Sequence, residues 1–282
     1  MLNGRRGFTL AELIVAVTLF GVFAGAVARL LVHLQHQYRR QVQQWELQAT
    51  LRTATGLLVQ ELRELDATDP AGSDLLEPGD SSITYRAMRG MYATCQPSDG
   101  LTLYLDTTVI GLWGVEAEYD SVLILALPGV AAREDRWIHA DVTGVAGGTD
   151  CPGGRPSLRV DIQTALAPAE SVFAGSPVRV FEVAQWRAYR DAVGDWWLGQ
   201  RRYQKSGGWN TFQPVAGPLE PRGLRFTYHG SDDSVADPRG PGVSRIEVTI
   251  VGRSPEAVRL SAGVRYLVDS LVGDVALRNN QR

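Results

Sequence analysis

The chain has 282 residues, of which 44% are hydrophobic, and this is enough for one large domain or two small ones with a buried core. The formal net charge is −3, and arginines and carboxylates are mixed throughout, so the charge distribution gives no reason to expect a nucleic-acid partner. The two cysteines, Cys95 and Cys151, would be free thiols in the cytosol and one disulfide in an exported protein. The compartment therefore decides their state.

The N-terminus consists of a short basic segment followed by a long apolar one. Residues 1–7 are basic, and the run 8–32 contains only two charged residues, Glu12 and Arg29. The residues between these charges would form a helix about 24 Å long, which is close to the thickness of a bilayer core. We therefore expect residues 8–32 to cross a membrane.

Two ordinary interpretations of this segment are a secretory signal peptide, cleaved at the small residues of 24–28, and an uncleaved signal anchor. Neither explains Glu12, because a carboxylate inside an apolar membrane helix costs about 3 kcal/mol. A third interpretation rests on the residues around it.

Residues 7–14, Gly-Phe-Thr-Leu-Ala-Glu-Leu-Ile, resemble the cleavage and methylation motif of type IV prepilins. The resemblance implies that prepilin peptidase cuts after Gly7 and that the new N-terminal residue, Phe8, is N-methylated. It also implies that Glu12 serves filament assembly by pairing with the positively charged N-terminus of a neighbouring subunit. The alternative role is that Glu12 snorkels to the lipid headgroups.

The orientation follows from the same motif. Arg5 and Arg6 indicate a leader that stays in the cytoplasm, although further arginines beyond the span make the charge count indecisive. In this family the peptidase acts at the cytoplasmic face. We therefore predict a single-pass inner-membrane protein with a cytoplasmic N-terminus and a periplasmic or extracellular domain, in which Cys95 and Cys151 are joined.

Beyond residue 32 the pattern becomes amphipathic. Apolar residues at spacings of three and four predict one buried stripe on a helix that extends over 8–66, about 88 Å long. The stripe comprises Leu34, Tyr38, Val42, Trp45, Ala49, Ala54, Leu58, Leu62 and Leu65. Residues 69–70, Asp-Pro, favour a stop, since the residue before proline avoids the α region.

The remainder predicts strands, because β-branched and aromatic runs are separated by Gly, Pro, Asp and Ser. They are expected at 82–88, 101–109, 121–127, 136–143, 157–162, 178–189, 196–203, 224–228, 244–251 and 263–268. The runs 178–189 and 196–203 indicate a hairpin. Turn-rich loops are predicted at 144–156, 217–222 and 231–242.

The predicted fold class is α+β and pilin-like, with a long N-terminal helix packed on an antiparallel sheet. The C-terminal third is similar to PilW-type minor pilins of type IV pili and J-type pseudopilins of type II secretion. The predicted segments are a prepilin leader at 1–7, a membrane and filament-core segment at 8–32, an amphipathic continuation at 33–69 and an extracytoplasmic β-rich domain at 70–282.

The resemblance implies a minor pilin or pseudopilin that helps to initiate assembly of a type IV pilus or type II secretion pseudopilus. Its implied partners are prepilin peptidase, other minor pilins, the major pilin, the inner-membrane assembly platform and membrane lipid. In this family the subunit at the extreme tip typically lacks the acid, so Glu12 predicts a position just below the tip. The chain is also larger than the usual major subunit.

No catalytic motif is evident, and we expect no enzyme activity, no cofactor and no metal. The alternative is a membrane-anchored extracytoplasmic enzyme or ligand-binding domain with an ordinary anchor. The acidic loop 231–237 fits a solvated turn better than a calcium site, because it lacks the glycine and glutamate of the twelve-residue pattern. The seven tryptophans fit core or interface anchors better than a sugar-stacking surface.

Overall fold

The computed structural model describes residues 9–67, 72–98, 100–108, 114–126, 136–164, 166, 172–240, 242–260 and 263–277. One long N-terminal helix is followed by a large antiparallel sheet, which confirms the predicted α+β, pilin-like class. The leader and cleavage residues Arg5, Arg6, Gly7 and Phe8 lie outside the described residues.

The helix α1 spans Leu10–Arg63, and its 54 residues give a length of about 81 Å. It runs without a break from its apolar first part into its amphipathic second part, and by length and composition it is suited to cross a membrane. It ends earlier than the predicted residue 66, with Glu64 as the C-cap. The predicted stop at 69–70 lies outside the described residues.

All described strand pairings are antiparallel. The strands are β1 (Leu75–Pro78), β2 (Ser82–Ala93), β3 (Thr102–Asp106), β4 (Asp120–Ala126), β5 (Arg136–Cys151), β6 (Arg155–Ile162), β7 (Pro177–Arg190), β8 (Trp196–Gln204), β9 (Gly208–Trp209), β10 (Gln213–His229), β11 (Arg245–Arg253), β12 (Val258–Leu260), β13 (Gly263–Arg265) and β14 (Val268–Ala276). The hairpin of β7 and β8 confirms the one predicted from sequence.

The long strand β7 is the point at which the sheet forks. One edge of β7 pairs with β2, while β4 and β8 share its other edge. The sheet runs from β7 through β8, β10 and β11 to β14 in one direction, and through β4, β5 and β6 to β3 in the other. The hairpin of β12 and β13 is separate from this twelve-stranded sheet.

Two apolar clusters fill the two halves of the sheet. The helix-side cluster lies between α1 and the half that ends in β14, where strict alternation along β11 buries Ile246, Val248 and Ile250. The distal cluster lies among β3, β4, β5 and β6 and includes Leu103 and Val122. The helix therefore serves as the second layer for only one half of the sheet.

Three predictions about the β-rich part were wrong. The predicted loop 144–156 is mostly strand, because β5 continues to Cys151 and pairs with β6, leaving a turn that contains Gly153 and Gly154 with positive φ. The predicted loop 217–222 lies inside β10, whose pairings shift register there. The predicted strand 263–268 is divided between β13 and the start of β14.

Candidate functional site

The first part of α1 is exposed on every side. Each residue from Thr9 to Gln41 is exposed, and the part of this range up to Val32 consists mainly of leucine, valine, phenylalanine and alanine. Exposed apolar patches of this extent mark sites that a membrane or another protein covers. In the described part of the chain, nothing from the sheet covers this segment.

Glu12 lies in the first turn of α1 and closes a capping box with Thr9. The Thr9 backbone N–H donates to Glu12 Oε2 at 2.9 Å, and the Glu12 backbone N–H donates to Thr9 Oγ1 at 3.2 Å. These two bonds satisfy backbone donors that a helix start leaves without partners. Glu12 thus has a local role within the chain itself, which we did not predict from its sequence, and its carboxylate remains exposed.

The second part of α1 presents a face that differs from the predicted one. Tyr38 and Trp45, predicted to be buried, are 68% and 78% exposed. At 3.6 residues per turn, Gln43 and Leu47 point about 160° away from Trp45, and these are the residues that the sheet buries. The prediction of burial was correct for Ala54, Leu58, Leu62 and Leu65 and wrong for Leu34, Tyr38, Trp45 and Ala49.

The exposed face therefore forms a continuous apolar strip, which we call the Trp45 strip: Leu34, Tyr38, Val42, Trp45 and Ala49. Four of these residues are exposed and Val42 is half-buried. Around Trp45 and Ala49 the surface forms a shallow depression, also lined by Glu46, Gln48 and Arg52. The strip is aligned within about 80° of arc, as expected for the contact seam of one neighbouring helix.

Two glycines allow α1 to lie directly on the sheet. A Cβ added at Gly273 in β14 would lie 2.6 Å from Thr55 Cγ2, and one at Gly252 in β11 would lie 3.0 Å from Leu47 Cδ1. Both distances are too short for a methyl group without movement of a neighbour. The contact between α1 and the β-rich part begins at Gln43, whose Oε1 accepts a hydrogen bond from the Glu256 backbone N–H at 2.9 Å.

A buried hydrogen-bond network fixes the far end of α1 to the sheet. Tyr85 in β2 is fully buried, and its hydroxyl donates to Glu61 Oε2 at 2.9 Å. Trp186 Nε1 in turn donates to the same hydroxyl at 2.8 Å, and Gln200 Nε2 lies 3.3 Å from it. Burial, followed by the negative charge of Glu61, raises the pKa of Tyr85 far above its usual value, so the phenol stays protonated.

The distal half of the sheet is held by a disulfide between Cys95 and Cys151, as predicted. Cys95 follows β2 and Cys151 ends β5, so the bond ties the two strands together across a separation of 56 residues. The Cys95 backbone N–H also donates to the Tyr104 carbonyl of β3. The disulfide therefore closes the end of the distal half near β3.

Two charged side chains in the middle of the sheet, the buried Glu182 and the half-buried Lys205, are paired with their neighbours. Glu182 in β7 pairs with Arg89 at 3.3 Å and with Arg202, and burial raises the pKa of its carboxyl. Lys205, the only lysine, donates from Nζ to three backbone carbonyls, including that of Val142 at 3.0 Å. Burial lowers the pKa of Lys205. These groups join strands and leave no free acid–base pair among them.

The acidic loop that follows β10 uses its carboxylates locally. Asp232 Oδ1 accepts from the backbone N–H and hydroxyl of Ser234, Asp233 pairs with Arg245 at 3.1 Å, and Asp237 Oδ1 accepts from the Arg239 N–H. Among the described residues, no three His, Cys, Asp or Glu side chains gather as a metal site would require. The solvated-turn interpretation accounts for these contacts.

Comparison with protein families identifies the N-terminal part of the chain alone. Residues 2–28 match the model described as the prokaryotic N-terminal methylation motif. The chain has no match among curated proteins and none among solved structures. Together with the exposed apolar helix, this match shows that the chain carries the N-methylation motif of type IV prepilin-like proteins at its N-terminus.

Proposed function

We propose that the chain is a minor pilin or pseudopilin, a structural subunit of a type IV pilus or type II secretion pseudopilus that helps to initiate filament assembly. The observation that carries this proposal is the methylation motif at residues 2–28, followed directly by a helix whose first part is exposed all round. Such a helix needs a membrane before assembly and neighbouring helices after it.

The leader of residues 1–7 is removed by prepilin peptidase after Gly7, and Phe8 is then N-methylated. The segment 8–32 holds the subunit in the inner membrane with its N-terminus on the cytoplasmic side, and the β-rich domain lies outside the cytoplasm. The disulfide of the distal half agrees with that compartment, since structural disulfides persist where the environment is oxidising.

Glu12 exchanges partners during assembly. In the single subunit its carboxylate accepts hydrogen bonds from Thr9. In a filament it pairs with the charged N-terminus of a neighbour, which leaves neither charge unpaired among apolar helices. A subunit with this acid is suited to a position just below the tip, in contact with other minor pilins, the major pilin and the assembly platform.

The Trp45 strip supplies a second contact with a neighbouring helix. Trp45 lies 13 residues beyond Val32, so it stands about 20 Å above the end of the apolar segment along an upright helix. The polar headgroup layer is only about 5–8 Å thick on each side of the bilayer. Lipid therefore does not reach Trp45, and a protein surface is the partner that fits its exposed ring.

The test of the assembly role is co-purification of membrane-extracted protein with other subunits that carry a prepilin motif. We expect Glu12→Ala to be processed, inserted and folded, but to lose these partners. Thr9→Ala is the matched control, because it removes the capping hydroxyl and leaves the carboxylate available to a neighbour. Equal losses in both variants would assign the effect to helix capping, and wild-type recovery of Glu12→Ala would contradict the assembly role.

A further inference from the structure

Several arginines of the sheet are paired with carboxylates. Arg89 and Arg202, for example, both pair with the buried carboxylate of Glu182. Arg187 in β7 and Arg201 in β8 have no carboxylate oxygen within 4.0 Å in the part of the chain that the structure describes. Two guanidinium groups without acidic partners thus lie on neighbouring strands.

Arg201 is held in a fixed orientation between aromatic rings. Its Cζ lies 4.5 Å from the ring centroids of both Trp209 and Phe212, and Tyr189 stacks on Phe212 at 5.3 Å. Arg201 Nε donates to Gln185 Oε1 at 2.8 Å. Among the described residues its two Nη groups have no hydrogen-bond acceptor, so the terminal edge of the guanidinium is available to a ligand.

The strand register places the second arginine beside the first. Arg187 is opposite Gly199, and Gln185 is opposite Arg201, so the two arginines lie diagonally on the same sheet face. Gly199 leaves room for the ring of Tyr189, because an added Cβ would lie 2.4 Å from its Cε1. Burial and the nearby charge of Arg187 lower the pKa of Arg201, and the charge of Glu77 opposes this shift less strongly.

This site faces away from α1. Leu198 in β8 belongs to the helix-side cluster, and residues of a strand alternate between the two faces, so Arg201 lies on the outer face. The outer face is also separate from the Trp45 strip. Whatever binds at these arginines therefore contacts the subunit from the side opposite to its helix.

We propose that Arg187 and Arg201 bind a carboxylate side chain of a partner protein, with Trp209 and Phe212 packed against the Arg201 guanidinium. A fixed guanidinium edge matches the two oxygens of a carboxylate, and arginine with aromatic residues is typical of interface anchors. Arg187 is exposed and Arg201 is partly exposed on this face of the sheet, so a protein surface can reach both. This contact is additional to the helix contacts of the proposed function and does not depend on them.

The test uses the full-length protein in detergent at low salt, with hexaglutamate and hexaglutamine as probes. We expect hexaglutamate to bind and hexaglutamine not to bind, although the protein itself has a net charge of −3. Arg201→Gln and Arg187→Gln should each weaken binding by about tenfold or more, the loss of one charge-assisted contact. The matched control is Arg225→Gln, an exposed arginine on the outer face of β10, which should bind as the wild type does.

Three results would overturn the proposal: no binding of hexaglutamate, an equal loss of binding in Arg225→Gln, or binding to vesicles of anionic lipid in place of the peptide. The first result would show that no carboxylate-binding site exists. The second would show that binding depends only on overall charge. The third would show that the ligand is a membrane. Because Arg187 is exposed, Arg187→Gln keeps the fold and preserves the test even if Arg201→Gln does not fold.

Discussion

The two parts of α1 belong to one unbroken helix but have different surroundings. Residues 10–41 are exposed on all sides, whereas from Gln43 to Leu62 one face is buried against the sheet. In the second part of α1, the side chains of Leu51, Ala54 and Leu58 pack against apolar residues of the sheet. In the first part, which is the more apolar of the two, no residue of the described chain covers the helix. One end of the helix is therefore covered by the sheet of its own chain, and the other end exposes an apolar surface of the kind that a membrane or another protein covers.

The same difference exists between two faces of the second part of α1. Trp45 and Leu47 are two residues apart in the helix, but Trp45 is exposed on the face away from the sheet and Leu47 is buried on the face against it. In this part of α1, the buried residues and the exposed residues therefore lie on opposite faces of the helix. Changes to the sheet side should alter stability, and changes to the free side should alter association, and this separation can be tested.

The largest expected loss of stability comes from the disulfide of the distal half. Replacing both Cys95 and Cys151 by serine should lower the free energy of unfolding by about 4 kcal/mol, because the bond closes a long loop of the unfolded chain. Urea unfolding of the double variant measures the loss, and wild-type protein with reductant should show the same change. Two reactive thiols in wild-type protein denatured without reductant would contradict the bond.

The next effect concerns the contact between α1 and the sheet. Gly273→Ala should destabilise the protein by about 1–3 kcal/mol, because the added methyl group overlaps Thr55 and Val59. Gly147→Ala in β5 is the matched control, since an added Cβ there has no neighbour within 4 Å. Thermal unfolding of both variants checks this, and equal stability would show that α1 does not pack on β14 as described.

A smaller effect is expected for the network at the end of α1. Tyr85→Phe should cost about 1–2 kcal/mol, because it leaves Trp186 Nε1 without its acceptor in a buried position. Tyr203→Phe removes a hydroxyl from an exposed ring and should change stability by less than about 0.5 kcal/mol. Denaturant unfolding of the pair measures the difference, and identical midpoints would remove the network as an anchor of the helix.

The smallest effect on stability should come with a clear effect on association. Trp45→Ala should change the free energy of unfolding by less than about 0.5 kcal/mol, since the ring is exposed, but should reduce recovery of partner subunits from membranes. Val193→Ala, at an exposed turn far along the chain, should change neither quantity. Strong destabilisation by Trp45→Ala would contradict the free face, and full partner recovery would contradict its role in assembly.

The sequence predicted those features that are local in the chain. These features depend on residues that are close together in the sequence, so they can be predicted without knowing the fold. They are the motif around Glu12, the continuous helix and the hairpin of β7 and β8. Periodicity showed that the helix has apolar faces, but it could not show that the sheet covers Leu47 and leaves Trp45 exposed. That choice depends on where Gly252 and Gly273 place the helix, which is set by distant strands.

The misassigned loop 144–156 illustrates the same limit. Its Gly and Asp residues are typical of turns, yet residues 144–151 form strand because β6 pairs with them. The proposed carboxylate-binding pair was missed for a related reason, since Arg187 and Arg201 become neighbours only through the register of β7 and β8. The capping role of Glu12 could have been recognised, because Thr-x-x-Glu is a capping-box signature.

Mass spectrometry of the N-terminus of protein purified from membranes tests whether the chain is made as a prepilin. We expect the mature chain to begin at Phe8 and to carry one N-methyl group, and we expect Gly7→Arg to retain residues 1–7 without the methyl group. An intact N-terminus, or a cut after the apolar run near Ala28, would contradict the claim and favour an ordinary anchor or signal peptide.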